Sequence, residues 1–230
     1  MRNQIRDNIG RVEERIVAAC RRCGRQREDV KLVAVSKTHP PESIQAAFAA
    51  GLRDFGENRV QEAQAKLPAL ADLAVTWHLI GHLQSNKARK ARELFGWVHS
   101  LDSLRVAEKL TEAGSGDLRL PVLIEVNLGG ETSKSGVRAA EATVLAEQIA
   151  QLETLDLRGL MTIPPFQSNP EDARPYFRQL RTLAHEIDQR NLPHCSMREL
   201  SMGMSSDFEV AIEEGATMVR VGTAIFGARQ

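Results

Sequence analysis

The fold is decided by one stretch of the chain, Lys31-Leu-Val-Ala-Val-Ser-Lys-Thr-His-Pro-Pro-Glu-Ser-Ile-Gln-Ala-Ala-Phe-Ala-Ala-Gly51. Its first five residues, through Val35, form a mostly apolar run with β-branched side chains, which is typical of a buried strand. Pro41 then suits the first turn of a helix, and Gly51 suits the end of that helix. The stretch therefore predicts a buried strand, a short turn and an α-helix in that order.

Outward from this stretch, the same order of strand and helix recurs along the chain. The further predicted strands are residues 53–56, 76–80, 97–100, 121–127, 157–162, 199–202 and 218–221. The further predicted helices are residues 58–70, 86–94, 103–113, 137–152, 170–190 and 207–214. Alternating strands and helices favour parallel pairing with right-handed crossovers. We therefore predict an α/β fold, a single (β/α)8 TIM barrel, with an open doubly wound sheet as the alternative.

One more helix precedes the first strand. Ile5, Ile9, Val12 and Ile16 recur at spacings of four, three and four, which places them in one stripe of a helix. Gly24 suits its end, so we expect residues 1–24 to pack as an extra N-terminal helix outside the barrel. The 230 residues are close to the roughly 250 of a typical barrel and contain no long linker, which predicts a single domain over residues 1–230.

Composition excludes several classes of partner. Lys plus Arg number 30 and Asp plus Glu number 30, so the formal net charge is zero. A neutral chain has no global attraction to nucleic acid or to anionic lipid, and any anion must be bound by a local site. The N-terminus lacks the apolar segment of a secretory signal, and no apolar run approaches the roughly 20 residues of a membrane helix. We predict a cytoplasmic protein without nucleic-acid or membrane partners.

The cysteines fit a reducing compartment. Cys20, Cys23 and Cys195 are an odd, small number, which argues against a disulfide framework. Cys20 and Cys23 form a CxxC at the end of the predicted N-terminal helix, without a second pair or a nearby histidine. We interpret them as ordinary helix residues and predict no metal site.

Two loops have the features of a phosphate site. In TIM barrels, phosphate is frequently bound by the loops after the last two strands. Those loops contain Leu200-Ser-Met-Gly-Met-Ser-Ser-Asp207 and Arg220-Val-Gly-Thr-Ala-Ile-Phe-Gly227. Ser206 and Glu209 have the spacing of a capping box, which predicts a helix start with free N–H groups for an anion. Gly222 lets a phosphate approach the backbone, and Thr223 adds a hydroxyl donor.

A lysine stands at the end of the first strand. Lys37 follows the apolar run directly, so it is expected at the rim of a buried strand rather than on a solvated helix face. Partial burial lowers the pKa of an ammonium group and frees the amine as a nucleophile. An amine beside a phosphate site suggests a Schiff base with a phosphorylated aldehyde or ketone. Lys87 and Lys134 are the competing lysines.

Further polar residues follow the third and fifth strands and could line the same mouth: Gly81, His82, Gln84, Asn86, Asn127 and Glu131. His82 is expected near the rim, where it could contact a ligand. His78 alternates with apolar neighbours, which predicts a hydrogen-bonded core histidine rather than a base.

Several motifs together resemble the pyridoxal phosphate homeostasis proteins. They are Ala34-Val-Ser-Lys-Thr38, Phe55-Gly-Glu-Asn58, Trp77-His-Leu-Ile-Gly81, Leu83-Gln-Ser-Asn-Lys87, Leu200-Ser-Met-Gly-Met-Ser205 and Val219-Arg-Val-Gly-Thr-Ala-Ile-Phe-Gly227. The likeness runs from about Lys31 to Gly227, with departures at His39 and Arg59. It implies the barrel of the alanine racemase N-terminal domain and pyridoxal 5′-phosphate (PLP) as the cofactor.

The resemblance also implies roles for single residues in binding the phosphate of PLP. Ser201, Gly222 and Thr223 fall where that family binds the phosphate, and Met202 and Gly203 are expected to contribute backbone groups. These five residues belong to the two loops that the barrel architecture itself selects.

The remaining implied roles concern the aldehyde and the ring. Lys37 matches the lysine that carries the cofactor, Asn58 is expected beside the ring, and Arg220 is expected to face the pyridine nitrogen. A cation there disfavours protonation of the ring, which weakens its electron withdrawal. Tyr176, the only tyrosine, lies in a predicted helix, so no second proton carrier is evident.

These features favour a binding protein over an enzyme. We predict a monomeric carrier for intracellular PLP homeostasis, which holds PLP as a Schiff base and supplies it to apo-enzymes. The alternative is a PLP-dependent amino-acid racemase-like enzyme. A third possibility is a Schiff-base aldolase that acts on a phosphosugar, which would share Lys37 and the phosphate loops but hold no PLP.

Overall fold

The computed structural model describes residues 2–114, 118–131 and 135–227 of the chain. Within these ranges the strands are β1 (Lys31–Val35), β2 (Asp54–Glu57), β3 (Thr76–Leu79), β4 (Trp97–Leu101), β5 (Leu120–Asn127), β6 (Val137–Arg138), β7 (Leu155–Met161), β8 (Cys195–Ser201) and β9 (Met218–Val221). All recorded pairings are parallel, in the order β4-β3-β2-β1-β9-β8-β7-β5-β6. A further pairing of β4 with β5 closes eight of the strands into a barrel, which confirms the predicted fold.

Helices surround the barrel. Those described are α1 (Arg2–Arg22), α2 (Pro41–Ala49), α3 (Val60–Lys66), α4 (Ala88–Leu94), α5 (Leu104–Glu112), α6 (Ala139–Ile149), α7 (Arg174–Asp188), α8 (Phe208–Glu213) and α9 (Thr223–Phe226). Short 3₁₀ turns occupy Arg27–Asp29, Leu67–Leu70, Ser85–Lys87 and Pro170–Ala173. None of the described helices is long and apolar enough to cross a membrane.

The extra helix α1 packs outside the barrel as predicted. Its stripe of isoleucine and valine side chains is buried against α2, α8 and α9. Arg15 extends this contact, because its guanidinium lies 2.9 Å from Glu209 of α8 and 4.5 Å from the centre of the Phe208 ring. The helix thus supports the two elements that flank the last strand. That residues 1–230 form one domain stays a prediction.

Several element ends differ from their predicted positions, the largest shift being β8, which starts at Cys195 rather than at residue 199, and three further local predictions differ in kind. Residues 137 and 138 form β6 rather than the start of a helix, because their backbone pairs with Val126 and Asn127 of β5. The chain after β9 forms the short helix α9, which was not predicted. The capping box was wrong: α8 starts at Phe208, the carboxylate of Asp207 accepts from Met204 N–H at 2.6 Å, and Glu209 turns to Arg15 instead.

Of the two cysteines predicted as helix residues, Cys20 lies in α1 and Cys23 lies in the turn just after it, while Cys195 begins β8. Cys20 is buried in α1, Cys23 and Cys195 are half-buried, and all three are free thiols. Burial raises the pKa of Cys195 to about 11, so this thiol stays protonated at neutral pH.

Candidate ligand-binding site

The turn that carries Lys37 lies beside the turn after β9. Strands β1 and β9 are neighbours, with Ala34 opposite Val221, so the chain leaves both strands at the same edge of the barrel. A Cβ atom added to Gly222 would lie 3.3 Å from the carbonyl oxygen of Val35. Two residues past Lys37, the ring of His39 stacks on Phe226 at the end of α9, with centroids 4.9 Å apart. The sequence prediction that these segments converge is consistent with this contact.

The turns after β8 and β9 are joined by hydrogen bonds. The backbone N–H of Arg220 donates to the carbonyl of Gly203 at 2.9 Å. The N–H of Ala224 in α9 donates to the Ser205 hydroxyl at 3.3 Å. Thr223 is exposed at the first position of α9, where backbone N–H groups have no intrahelical partner. These two turns therefore form one surface with backbone donors and hydroxyls, as a phosphate group requires.

Gly203 is required by the shape of the turn after β8. Its φ is +92°, a conformation that glycine adopts without steric cost. A Cβ atom at this position would lie 2.6 Å from the Cβ of Ala211 and 2.9 Å from the Cα of Phe208. The turn can pack against α8 only because this side chain is absent.

The backbone on both sides of Lys37 is held by α3. Lys66 of α3 is nearly buried, and its ammonium donates to the carbonyl of Ser36 at 2.9 Å. The carboxylate of Glu62, also in α3, accepts from the N–H of Thr38. Thr38 has a φ of 65°, the left-handed region, so this bond holds the turn in a conformation that threonine rarely adopts. Lys37 itself is half-buried between these two anchors.

A buried carboxylate completes this anchor. Glu57 at the end of β2 is fully buried, and its Oε1 accepts from Lys66 at 2.9 Å and from the Ser36 hydroxyl at 2.7 Å. Burial raises the pKa of Glu57, although the hydrogen bonds from Ser36 and Lys66 oppose this shift. The position of Lys37 therefore depends on a charged cluster beneath it.

A cavity of 270 Å³ opens on the other side of the barrel mouth, over the ends of β2, β3, β5 and β7. Its lining is Asn58, Ile80, Gly81, His82, Glu125, Val126, Asn127, Ser135 and Ile163. Glu125 is 7% exposed, and its Oε2 has no hydrogen-bond partner among the described residues. Burial raises the pKa of Glu125 to about 7, and the nearby charge of Asp102 adds to the shift. This carboxyl group can therefore take up or release a proton near neutral pH.

The competing lysines differ in what the structure shows. Lys87 lies in the 3₁₀ turn after β3 and lines a separate cavity of 200 Å³ with Asn58 and Gln84. It stands over β3, whereas the phosphate turns follow β8 and β9. His82 in the same loop pairs with Asp102 at 2.9 Å. Lys134 lies outside the described residues.

Arg220 is a buried cation inside the barrel. Its guanidinium donates to the Ser201 hydroxyl at 2.6 Å and to the carbonyl of Thr162 at 2.8 Å. Burial lowers its pKa to about 10, although the charges of Glu125 and Asp207 oppose this shift, so it remains charged at neutral pH. A charged group this deep is retained only where partners satisfy it.

Comparison with known proteins identifies the family. The family model for the alanine racemase N-terminal domain matches residues 7–230. The pyridoxal phosphate homeostasis protein of Aquifex aeolicus (strain VF5) is 48% identical over 228 residues, which cover 97% of this chain and 98% of the relative. The protein of the same name from Escherichia coli (strain K12) is 46% identical over 231 residues, covering 99% and 97%. This chain belongs to the pyridoxal phosphate homeostasis protein family.

Solved structures place this family member among similar folds. PipY of Synechococcus elongatus PCC7942, solved with PLP bound, matches with a TM-score of 0.85 at 42% identity and covers 97% of this chain and 100% of PipY. An alanine racemase of Clostridium difficile 630 matches with a TM-score of 0.74 at 15% identity, and this chain covers 57% of its length. The second likeness shows the fold alone. The family predicted from the motifs is confirmed.

The structure brings together some of the predicted site residues of this family member and separates others. Lys37, Gly222 and Thr223 follow the neighbouring strands β1 and β9, and Asn58 follows β2. Ser201, in contrast, ends β8 inside the barrel, is fully buried and is hydrogen-bonded to Arg220. That Ser201 binds the phosphate stays a prediction.

The two residues after Ser201 are also less available than predicted. Met202 is fully buried, and its N–H already donates to the carbonyl of Met218 at 3.1 Å. Gly203 is buried as well, with its carbonyl bonded to Arg220. The hydroxyl that joins the turns after β8 and β9 is that of Ser205, which the sequence analysis included in the loop without singling it out.

Proposed function

We propose that this chain binds PLP at the barrel mouth, with the aldehyde on Lys37 and the phosphate on the turns after β8 and β9. The observation that carries the proposal is the contact between the Lys37 turn and α9, shown by the stack of His39 on Phe226. PipY, a relative with PLP bound and an equivalent fold over nearly the whole chain, supports the same ligand.

The residues at the mouth fit the chemical groups of PLP. Backbone N–H groups at Gly222 and Thr223, with the hydroxyls of Thr223 and Ser205, suit the phosphate. Arg220 is a buried cation of β9 and lies two residues before Gly222 in the chain. We place its guanidinium toward the pyridine nitrogen. Asn58 borders the cavity from the neighbouring strand and is placed beside the ring.

Lys37 is placed so that it can bond reversibly to the aldehyde. Its neighbours Ser36 and Thr38 are fixed by α3, so the backbone that carries the amine is held in a defined position. When bound as a Schiff base, PLP can be exchanged to an incoming amine, which makes its release reversible. We therefore propose a monomeric carrier in the cytoplasm that stores PLP and supplies it to apo-enzymes.

The test is the absorption spectrum of the purified protein before and after borohydride reduction. We expect a yellow protein, loss of the visible band on reduction, and a reduced adduct on the peptide that contains Lys37. Lys37→Ala should lose the band and the adduct, whereas the control Lys87→Ala should keep both. An adduct on Lys87 or Lys134 would contradict the assignment, and a colourless wild-type protein that does not bind added PLP would contradict the function.

Delivery is tested separately from binding. Loaded protein is mixed with an apo-enzyme that requires PLP, and the recovery of enzyme activity is followed beside an equal concentration of free PLP. We expect recovery in both samples, with the carrier maintaining it when a scavenger of free aldehyde is present. Complete suppression by the scavenger would show that the protein does not supply PLP.

One observation favours a second candidate, an amino-acid racemase-like enzyme. Glu125 has a carboxyl oxygen without a partner among the described residues, and its pKa of about 7 suits proton transfer at neutral pH. It is an acid–base group that the sequence analysis did not anticipate. Deuterium exchange at Cα of a panel of L- and D-amino acids decides between the two: rapid exchange that Glu125→Gln abolishes would establish the enzyme.

A further inference from the structure

A chain of hydrogen bonds crosses the inside of the barrel below the ligand site. Lys31, at the start of β1, lies 3.2 Å from the carboxylate of Asp54 at the start of β2. The same Asp54 oxygen lies 2.9 Å from Nε2 of His78 in β3. His78 Nδ1 lies 2.9 Å from Nε2 of His99 in β4. These contacts begin at the half-exposed N-terminal end of the barrel and lead inward.

The chain continues without a break to the mouth of the barrel. Nδ1 of His99 lies 2.9 Å from the hydroxyl of Ser201 at the end of β8. That hydroxyl accepts from Arg220 of β9 at 2.6 Å. Every contact in the series is short enough to be a hydrogen bond. The residues between the two ends, His78, His99 and Ser201, are fully buried.

The protonation states of its members follow from their surroundings. Burial lowers the pKa of His78 and takes that of His99 well below its ordinary value, so both rings are neutral at neutral pH. Burial raises the pKa of Asp54, but the hydrogen bonds and charges of His78 and Lys31 together outweigh this, and the net shift is downward. Asp54 is therefore an ionised acceptor facing a neutral ring.

These protonation states fix which atom donates and which accepts in each hydrogen bond of the series. An ionised carboxylate only accepts, so His78 must carry its proton on Nε2. Its Nδ1 is then an acceptor, and His99 must carry its own proton on Nε2. Nδ1 of His99 is thus an acceptor as well, and Ser201 must donate to it. The Ser201 oxygen is left with its lone pairs directed to Arg220, which is the only arrangement that leaves no two acceptors facing each other.

We propose that this series is a positioning relay, in which a carboxylate at the far end of the barrel orients the arginine that faces the ligand. Its members are Asp54, His78, His99 and Ser201. The Thr162 carbonyl holds a second N–H of Arg220, so the guanidinium is fixed at two points. Glu125 and Asp207 are the acidic residues whose charges act on Arg220.

The inference rests on the proposed function only for the identity of the ligand. An oriented cation beside the pyridine nitrogen disfavours protonation of that nitrogen. Loss of the relay lets Arg220 reorient, so the bound ring should be protonated at higher pH. From the loss of one hydrogen bond, the expected rise is on the order of half a pH unit.

The first test uses the apo-protein and ¹⁵N NMR of the histidine side chains, assigned with His78→Gln and His99→Gln. In the wild type we expect both rings to carry the proton on Nε2. In Asp54→Asn the amide oxygen can still accept from His78, but the charge that favours the Nε2-protonated form is lost, so the Nδ1-protonated fraction of both rings should increase. The matched control Asp72→Asn, at an exposed carboxylate, should change neither ring.

Ser201→Ala separates the relay from a general loss of stability. Asp54 remains in this variant, so the histidine tautomers should stay as in the wild type. Arg220 nevertheless loses one anchor, so the pH midpoint of the visible band of added PLP should rise, as it should in Asp54→Asn. Restoration of the wild-type midpoint in Ser201→Thr would show that the hydroxyl carries the effect.

The outcomes distinguish this inference from the proposed function. Failure of the wild-type protein to bind PLP would contradict the proposed function. The tautomer test would still decide whether the relay exists, because it uses the apo-protein. Protein that binds PLP, but whose histidine tautomers are unchanged in Asp54→Asn, contradicts the relay. Unchanged band midpoints in both Asp54→Asn and Ser201→Ala would contradict the role in positioning Arg220.

Discussion

The two halves of the barrel mouth are built in different ways. On the side of β8, β9 and β1, the turns are joined to each other by hydrogen bonds such as that of Ala224 to Ser205. On the side of β2, β3, β5 and β7, the cavity lining includes Glu125, a carboxyl without a partner for one oxygen among the described residues. In the first half these bonds fix the turns that we propose for the phosphate and the aldehyde, and the Glu57 oxygen that lacks a partner among the described residues is fully buried beneath Lys37 rather than lining a cavity. In the second half, the oxygen without a partner among the described residues belongs to Glu125, which lines a cavity. This arrangement suits a ligand that binds and dissociates.

Lys66 is the residue whose loss should affect the first half most. In Lys66→Met, the fully buried Glu57 loses its charged partner, and breaking such a pair costs about 3–5 kcal/mol of unfolding free energy. The Lys37 turn is released at Ser36 as well, so PLP affinity should fall with stability. Denaturant titration and PLP titration measure the two effects.

The control for Lys66 is a lysine with a solvent-exposed partner. Lys90 pairs with Glu93 at 2.8 Å on the surface of α4, and such pairs are worth about 0–1 kcal/mol. Lys90→Met should therefore leave both measurements nearly unchanged. Equal losses in the two variants would show that the cluster beneath Lys37 has no special role.

The next largest effect is expected from two glycines, one in each half. Gly203→Ala places a Cβ 2.6 Å from that of Ala211, so overpacking and backbone strain together should cost about 2–4 kcal/mol. Gly130 lies in the loop after β5 with a φ of +69° and open space around it. Gly130→Ala should cost only the backbone strain, about 1 kcal/mol. If the two unfolding free energies fall equally, the turn after β8 is not tightly packed.

Glu125 should make the open half sensitive to pH. Its pKa rises on folding from an ordinary 4.5 to about 7, so the folded state binds the proton more tightly than the unfolded state. This contribution to stability is fully present below pH 4.5 and is lost as the pH rises through about 7. Over that interval the loss is roughly 2–3 kcal/mol.

Glu125→Gln tests this sign. The neutral amide has no charge to bury, so the variant should be more stable than the wild type at pH 8 and closest to it near pH 5. Glu153→Gln, at an exposed glutamate, should run parallel to the wild type at every pH. Thermal unfolding over this pH series is the measurement, and a constant difference between Glu125→Gln and wild type would refute the raised pKa.

The sequence predicted the fold well because apolar periodicity reports burial directly. The strand at Lys31–Val35 was predicted at its observed bounds, since a continuous apolar run leaves few alternatives. β6 was missed because its two residues join the sheet through backbone pairing alone, which leaves no pattern in the side chains. The helix α9 was missed because four residues are too few to show a helical period.

The site was harder to predict, because a motif gives residue types and not their directions. Ser201 and Ser205 lie in the same motif, but the first ends a strand with its side chain inside the barrel, and the second lies in the turn. A signal for Glu125 and His99 was nevertheless present. Each is a polar residue within a predicted buried strand, and such residues need partners that come from other strands.

The smallest expected effect concerns Ser205, the serine that sequence analysis passed over. Its hydroxyl accepts from Ala224 at 3.3 Å, a long bond, so Ser205→Ala should cost only about 0.5–1 kcal/mol of stability. If Ser205 also contacts the phosphate, PLP affinity should fall about fivefold through the loss of one hydrogen bond. Ser206→Ala, at the exposed neighbour, is the control and should leave PLP affinity unchanged. Ser201→Ala is expected to shift the absorption spectrum of bound PLP, whereas Ser205→Ala is expected to lower the affinity for PLP. Together the two variants show whether one motif contacts both the ring side and the phosphate side of the ligand. Equal affinity in Ser205→Ala and wild type would place the phosphate on α9 alone.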